Sequence, residues 1–164
     1  MKGARTLKRK SINSQKDSYL LKTGPEDMSS CRKCGAVYHG KRWMNREDAE
    51  RLAREPGAPV LCPACQKVKD RFVGGFVTLK GEFLKDHREE IMNLIHNKEA
   101  RASRINPLER IMEIKERKGA IEITTTTDKF AQRIGRILSK AFSGAVDYKW
   151  SADTKLARVV WTRD

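Results

Sequence analysis

Four cysteines in two close pairs constrain this chain more than any other feature of its sequence. The pattern is Cys31-x2-Cys34 and Cys62-x2-Cys65, with 27 residues between the pairs. Two residues between cysteines let both thiolates reach one tetrahedral ion, and two such pairs fill all four positions of Zn²⁺. The spacing therefore predicts one structural zinc ion bound by Cys31, Cys34, Cys62 and Cys65. An iron–sulfur centre and a redox dithiol remain the alternatives.

A zinc ion with four thiolates carries a formal charge of about −2, which a protein has to offset. We expect Arg32, Lys33 and Lys67 to do so, because they lie beside the cysteines in the sequence. Gly35 follows the first pair and suits a turn that needs a positive φ.

The charge balance predicts the class of partner. Lys and Arg number 35 against 21 Asp and Glu, giving a net charge of +14 and a pI near 9.9. Such an excess attracts polyanions, of which RNA is the first to consider. The sequence has no apolar stretch long enough to span a membrane, and its basic N-terminus lacks the apolar core of a signal peptide. We therefore expect a cytoplasmic protein with reduced cysteines and no membrane partner.

Changes in composition and pattern divide the chain into three predicted parts, and the fold class they predict is α+β. Residues 1–28 are predicted as a flexible basic arm and residues 29–82 as a zinc ribbon with a helical insert at 45–54. Residues 83–164 are predicted as a small basic α+β domain of helix, strand, helix and β-hairpin.

Local signals predict the elements within these parts. Residues 71–79 are typical of a strand, with the pair Gly74-Gly75 marking a bulge or a close backbone approach. A helix is expected from Glu82 to about Arg104, and a second one is expected to begin at Asn106-Pro107 and to end at Gly119. Predicted next are a strand at 120–126, a helix at 128–142 and a hairpin of strands at 146–150 and 156–161.

Two groups of cations are candidates for contacting RNA. One group surrounds the cysteines, where basic residues interleave with aromatic ones. The other recurs at helical spacing on 128–142, about 120° from the centre of the apolar face of that helix. The predicted RNA-binding residues are Arg32, Lys33, Lys41, Arg42, Lys67, Lys69, Arg71, Lys129, Arg133, Arg136 and Lys140. A plain solvated face is the alternative for the helix, and packing is the alternative for Trp43.

The sequence carries no pattern of a common enzyme class. The three histidines His39, His87 and His96 are scattered, and neither a phosphate-binding glycine loop nor a nucleophile elbow is present. We expect no catalytic residues and no small-molecule substrate.

Several short blocks resemble the archaeal and eukaryotic NMD-three family, the export adaptor of the large ribosomal subunit. They lie at residues 62–65, 71–79, 121–126, 131–135 and 159–163. The resemblance implies a zinc-ribbon protein that docks on the large subunit. Members of that family carry further cysteine pairs and C-terminal domains that this chain lacks, which suggests a short bacterial relative for which nuclear export cannot be the role.

The sequence thus predicts a non-enzymatic protein that binds ribosomal RNA, with a role in large-subunit maturation, quality control or dormancy. The alternative is a zinc-ribbon transcriptional regulator or protein adaptor. It is less favoured because no recognition helix of a DNA-binding motif is evident.

Overall fold

The computed structural model describes residues 17–20, 23–151 and 153–164. Most of the predicted basic arm lies outside these residues. The described chain has two sheets and four helices, which confirms the mixed α+β class.

The elements follow one another in two groups. The first group comprises β1 (Ser30–Cys31), β2 (Val37–His39), β3 (Arg42–Met44), α1 (Arg46–Glu50), β4 (Pro59–Val60) and α2 (Pro63–Asp70). The second comprises β5 (Gly75–Lys80), α3 (Phe83–Ile105), β6 (Ile111–Arg117), β7 (Ala120–Thr125), α4 (Asp128–Phe142), β8 (Ala145–Trp150) and β9 (Ala157–Thr162).

The first group forms a small four-stranded sheet in the order β3-β2-β1-β4. We call it, together with α1 and α2, the cysteine unit. Its antiparallel β2–β3 pair sets Tyr38 opposite Trp43, with ring centroids 5.4 Å apart. The predicted helical insert is present as α1 and is shorter than expected. Asn45 is the N-cap residue of α1. The side-chain amide of Asn45 donates to the carbonyl of Arg104 and makes no capping hydrogen bond to the helix.

The second group forms a five-stranded sheet in the order β6-β7-β5-β9-β8. All neighbours are antiparallel except β5 and β9, which are parallel, with Val77 opposite Val159. Side chains alternate along each strand, so one face of the sheet collects the apolar residues. Helices α3 and α4 pack on that face. The core between them consists mainly of Val77, Leu79, Ile91, Ile95, Ile121, Ile123, Phe130, Ile134, Leu138, Val159 and Trp161.

The segment from Asn106 to Arg117 differs from its prediction. It was expected to be a helix, but β6 pairs with β7 in an antiparallel hairpin that turns at Lys118-Gly119. Asn106 is the C-cap of α3, and its side chain accepts from the Leu108 amide at 3.1 Å in a turn that no helix follows. Pairing with β7 lets Ile114 lie opposite the buried Ile123, and this sheet contact overrides the local helix signals.

The predicted division at residue 82 also differs from the structure. β5 lies inside the range 29–82 and yet is the central strand of the five-stranded sheet. The five-stranded sheet therefore begins at Gly75, before the predicted division. The Gly74-Gly75 pair permits a close backbone approach, as predicted. A Cβ on Gly74 would lie 2.4 Å from the carbonyl oxygen of Thr126, and one on Gly75 would lie 2.3 Å from Cβ of Ala131.

Candidate metal centre and nucleic-acid interface

The four cysteines are brought together as the sequence predicts. Their sulfur atoms all lie within 4.8 Å of one another, and those of Cys34 and Cys62 are 3.7 Å apart. Tetrahedral coordination with metal–sulfur bonds near 2.3 Å requires sulfurs roughly 3.8 Å apart. Cys31, Cys62 and Cys65 are buried, whereas Cys34 is exposed. The cluster is therefore positioned to bind one metal ion.

Local backbone structure explains how each pair presents its sulfurs. After the first pair the chain turns at Gly35, whose φ is +78° as expected, and the Gly35 amide donates to the carbonyl of Cys31. The second pair begins α2, with Cys62 as its N-cap and Pro63 at the first helical position. Backbone amides point at the sulfurs: Cys62 N lies 3.3 Å from Cys31 Sγ, and Cys65 N lies 3.4 Å from Cys62 Sγ. Such donors favour thiolates over thiols.

Neighbouring groups in the cluster set which thiol ionises first. The hydrogen bond from Cys62, aided by the charge of Arg110, lowers the pKa of Cys34 to about 4. The same hydrogen bond, together with burial, raises the pKa of Cys62. A thiolate is therefore favoured at Cys34, and metal binding would displace the protons that remain on the other sulfurs.

Arg110 is a component of the site that sequence reasoning missed. It lies just before β6, far along the chain from both cysteine pairs. Its Nη2 lies 3.3 Å from the sulfurs of Cys62 and Cys65 and 3.9 Å from that of Cys34. No local signal in the sequence points to this contact, because it depends on how the β6–β7 hairpin sits against α2.

The residues expected to balance the cluster's charge have no side-chain hydrogen bond to its sulfurs in the described ranges, whereas Arg110 does. Lys67 is buried, with 5% of its surface accessible, and its ammonium pairs with Asp17 at 2.5 Å and with the carbonyl of Thr126 at 3.1 Å. Arg32 and Lys33 lie in the turn between Cys31 and Cys34 and are exposed to solvent. The positive charge beside the sulfurs is that of Arg110, which precedes β6 of the five-stranded sheet.

Nine of the eleven predicted RNA-binding residues are exposed and pair with no carboxylate in the described ranges. On the cysteine unit they lie in the turn between the first two cysteines, in the β2–β3 turn and near the end of α2. On α4 they lie on the flank away from the core. These nine are Arg32, Lys33, Lys41, Arg42, Lys69, Arg71, Lys129, Arg136 and Lys140.

Lys67 and Arg133 are the two exceptions, and for Lys67 the prediction is wrong because the side chain is buried. Arg133 is 40% exposed and forms an ion pair with Glu109 at 2.7 Å. Glu109 lies in the segment before β6. The sequence of α4 has no acidic residue after Asp128, but in the folded protein this carboxylate from another segment lies beside the helix. Trp43 packs beside the cysteines, as the packing alternative predicted.

A groove of about 870 Å³ lies where the cysteine unit meets the large sheet. It brings Arg71, from the end of α2, to the same cavity as Lys129, from the first turn of α4. Phe72 also lines it and is 44% exposed. Four acidic residues share the lining, namely Asp17, Glu109, Asp128 and Asp153. One exposed member of each predicted cationic group therefore lies at this groove, among carboxylates.

Among the described residues, no helix is long and apolar enough to cross a membrane. Comparison with known proteins adds no name: no protein-family model, no curated protein and no solved structure gives a significant match to this chain.

Proposed function

We propose that this protein is a non-enzymatic RNA-binding protein that docks on the ribosome, at the large subunit. One structural zinc ion, bound by Cys31, Cys34, Cys62 and Cys65, holds its cysteine unit together. The resemblance to the NMD-three family leads to the same proposal. Its role would be exercised in the cytoplasm, in subunit maturation, quality control or dormancy.

The proposal of zinc is supported by the donor set. Four sulfurs within 4.8 Å of one another would fill all four positions of a tetrahedral ion and leave none for water or substrate, which is typical of a structural site. A cytoplasmic protein keeps its thiols reduced, and the free cysteines here are arranged around a common centre rather than in bonded pairs.

The proposal of RNA binding is carried by the nine exposed cations that lack carboxylate partners. An ordinary protein surface interleaves charges of both signs, as the ion pairs Lys85–Glu82 and Lys115–Glu113 do elsewhere in this protein. Unpaired cations held on a packed helix meet phosphates at little ordering cost, and each contact releases condensed counterions.

The test compares two triple variants that remove the same charge. One replaces the unpaired Lys129, Arg136 and Lys140 of α4 by Ala. The other replaces the ion-paired Lys85, Lys115 and Lys149 by Ala. Binding to purified small and large ribosomal subunits is measured by co-sedimentation over a range of salt concentrations.

The α4 variant should bind large subunits more weakly, with a salt slope shallower by about 2 if three contacts to single-stranded phosphates are lost. The control variant should stay near wild type. Equal weakening by both variants would contradict a defined surface. Preferential binding to duplex DNA over subunits would favour the transcriptional regulator instead.

A further inference from the structure

We propose that Arg110 is a positioning residue of the metal centre, through which metal binding fixes the cysteine unit against the five-stranded sheet. The inference rests on the metal binding proposed above and is independent of RNA binding.

The first argument is the charge environment of Arg110. No carboxylate in the described chain pairs with its guanidinium, and its Nε is buried without a hydrogen-bond partner. A cation half-enclosed by protein needs a counter-charge, because burying an unpaired charge is costly. The sulfurs of Cys34, Cys62 and Cys65 are the acceptors it has. Neutral thiols would leave it uncompensated, whereas four thiolates around a divalent ion supply about two negative charges.

The second argument is how rigidly Arg110 is fixed at its other end. Its amide donates to the hydroxyl of Thr126 at 2.9 Å, and its carbonyl accepts from the amide of Thr126 at 2.9 Å. Thr126 is fully buried and directly precedes Thr127, the N-cap of α4. The side chain of Arg110 thus leaves the large sheet from an anchored backbone and ends at the sulfurs of the other unit.

A second contact between the cysteine unit and the five-stranded sheet also ends at Thr126. Lys67, on α2 two residues after Cys65, donates to the carbonyl of Thr126. Metal coordination orders the start of α2, while Arg110 carries the charge attraction from the sheet side. Through these two contacts the metal centre would stabilise the cysteine unit and also connect it to the five-stranded sheet. We call this connection the joint between the two units.

The third argument concerns how firmly the metal is held. Donors to coordinated sulfurs orient these ligands and reduce the electron density available for attack by competing reagents. Residues that hold metal ligands in this way change metal affinity by about 10–100-fold when they are replaced. Removing the donor from three of four sulfurs should fall within that range.

The experiment uses the full chain loaded with zinc and follows zinc transfer to a colorimetric chelator. Arg110→Gln removes the charge and should weaken zinc binding by at least about 10-fold. Arg110→Lys keeps a positive charge and should weaken it less. Arg117→Gln is the control, because Arg117 ends β6, the strand that Arg110 directly precedes, and pairs with the exposed Glu122. It should match wild type.

Hydrogen exchange on the wild-type chain supplies a readout that needs no variant to fold. Zinc should slow exchange of the amides of Arg110, Ile111 and Thr126, which lie outside the cysteine unit. In Arg110→Gln, zinc should still protect the Cys62 and Cys65 amides but lose its effect on these three.

The outcomes separate the two proposals. Wild type that binds no zinc contradicts the metal centre itself. Wild type that binds zinc with no protection of Arg110, Ile111 and Thr126 overturns the joint. So does an Arg110→Gln variant that retains zinc as firmly as Arg117→Gln. Equal weakening by Gln and Lys in folded variants overturns the role of the charge.

Discussion

The guanidinium of Arg133 lies 2.7 Å from the carboxylate of Glu109, and this ion pair gives Arg133 a different role from the other cations of α4. Glu109 is 7% exposed. Arg133→Ala would leave that carboxylate without its partner. Breaking a fully buried pair costs roughly 3–5 kcal/mol, but Arg133 is half exposed and water can take its place, so we expect a loss of about 1–2 kcal/mol.

Arg136→Ala is the matched control, since Arg136 is exposed on the same helix with no carboxylate beside it. Its effect on stability should stay within about 0.5 kcal/mol. Urea unfolding of both variants checks the prediction, which is contradicted if the two are equally stable.

Substitutions at two core positions of α4 should lower stability and leave ribosome binding unchanged, whereas substitution of the exposed Arg136 should leave stability unchanged. Ile134 and Leu138 are 1% and 0% exposed, as their spacing predicted. Replacing either by Ala should lower the free energy of unfolding by roughly 2–5 kcal/mol, because each change leaves a cavity against the sheet. Thermal melts measure the effect. Subunit binding, measured well below the melting temperature, should change little.

Lys67 and Lys69 lie two residues apart on α2. The buried Lys67 should contribute to stability, and the exposed Lys69 should contribute to ribosome binding. Asp17→Ala should destabilise the fold by about 3 kcal/mol, because it leaves the Lys67 ammonium buried without a carboxylate, beside the Thr126 carbonyl and the Tyr19 ring. Lys67→Met, which keeps the volume, should leave the salt dependence of ribosome binding unchanged. Lys69→Met removes an exposed charge and should make that salt dependence shallower without loss of stability. Equal effects of Met at both positions on binding would contradict the assignment.

Gly135 allows α4 to approach the sheet closely. A Cβ at this position would lie 2.6 Å from Cγ1 of Val159 and 3.1 Å from Cγ1 of Val146. Alanine favours a helix by about 1 kcal/mol over glycine, but overpacking costs about 1–3 kcal/mol, and we expect the clash to win. In a Val159→Ala background the same change should be neutral or stabilising. A double-mutant cycle in urea measures this coupling; simple additivity would count against it.

Metal removal should loosen the cysteine unit and its contact with Arg110. The zinc content should fall from about one per chain to near zero in Cys34→Ser, and a chelator should have no further effect on that variant. Acidification should also release the metal, because the ligands must be deprotonated to bind. Elemental analysis over a pH series checks both statements. An iron–sulfur absorption band in the wild-type protein would contradict the choice of metal.

Elements encoded by a strong local pattern were predicted well. The bounds of α4 match the predicted range 128–142, because its apolar period, the Thr127 cap and Gly144 all agree. The hydroxyl of Thr127 accepts from the amide of Phe130. The β8–β9 hairpin is predictable from its short polar loop. The meeting of the four cysteines is predictable from the ligand chemistry of two C-x2-C pairs, although 27 residues separate them.

Features that depend on distant pairing were not predictable in this way. The segment that forms β6 carries Asn-Pro and a terminal Gly, which are ordinary helix signals, and only β7 beside it decides the outcome. Arg110 shows the same limit at the site. Its neighbours in the sequence indicate nothing about sulfur, and its role follows from the turn that places the hairpin over α2.

The parallel pairing of β5 with β9 has a consequence for how the protein is made. Gly75 lies opposite Ala157, so the central strand of the sheet gains its second neighbour only after more than eighty further residues have been added. Until β9 is made, one edge of β5 has unpaired backbone donors and acceptors, and another strand can pair with it incorrectly. Long-range parallel pairing is also slow to form. During synthesis, β7 emerges before β9, so β5 can pair with β7 first, and the sheet closes only once β9 has been made.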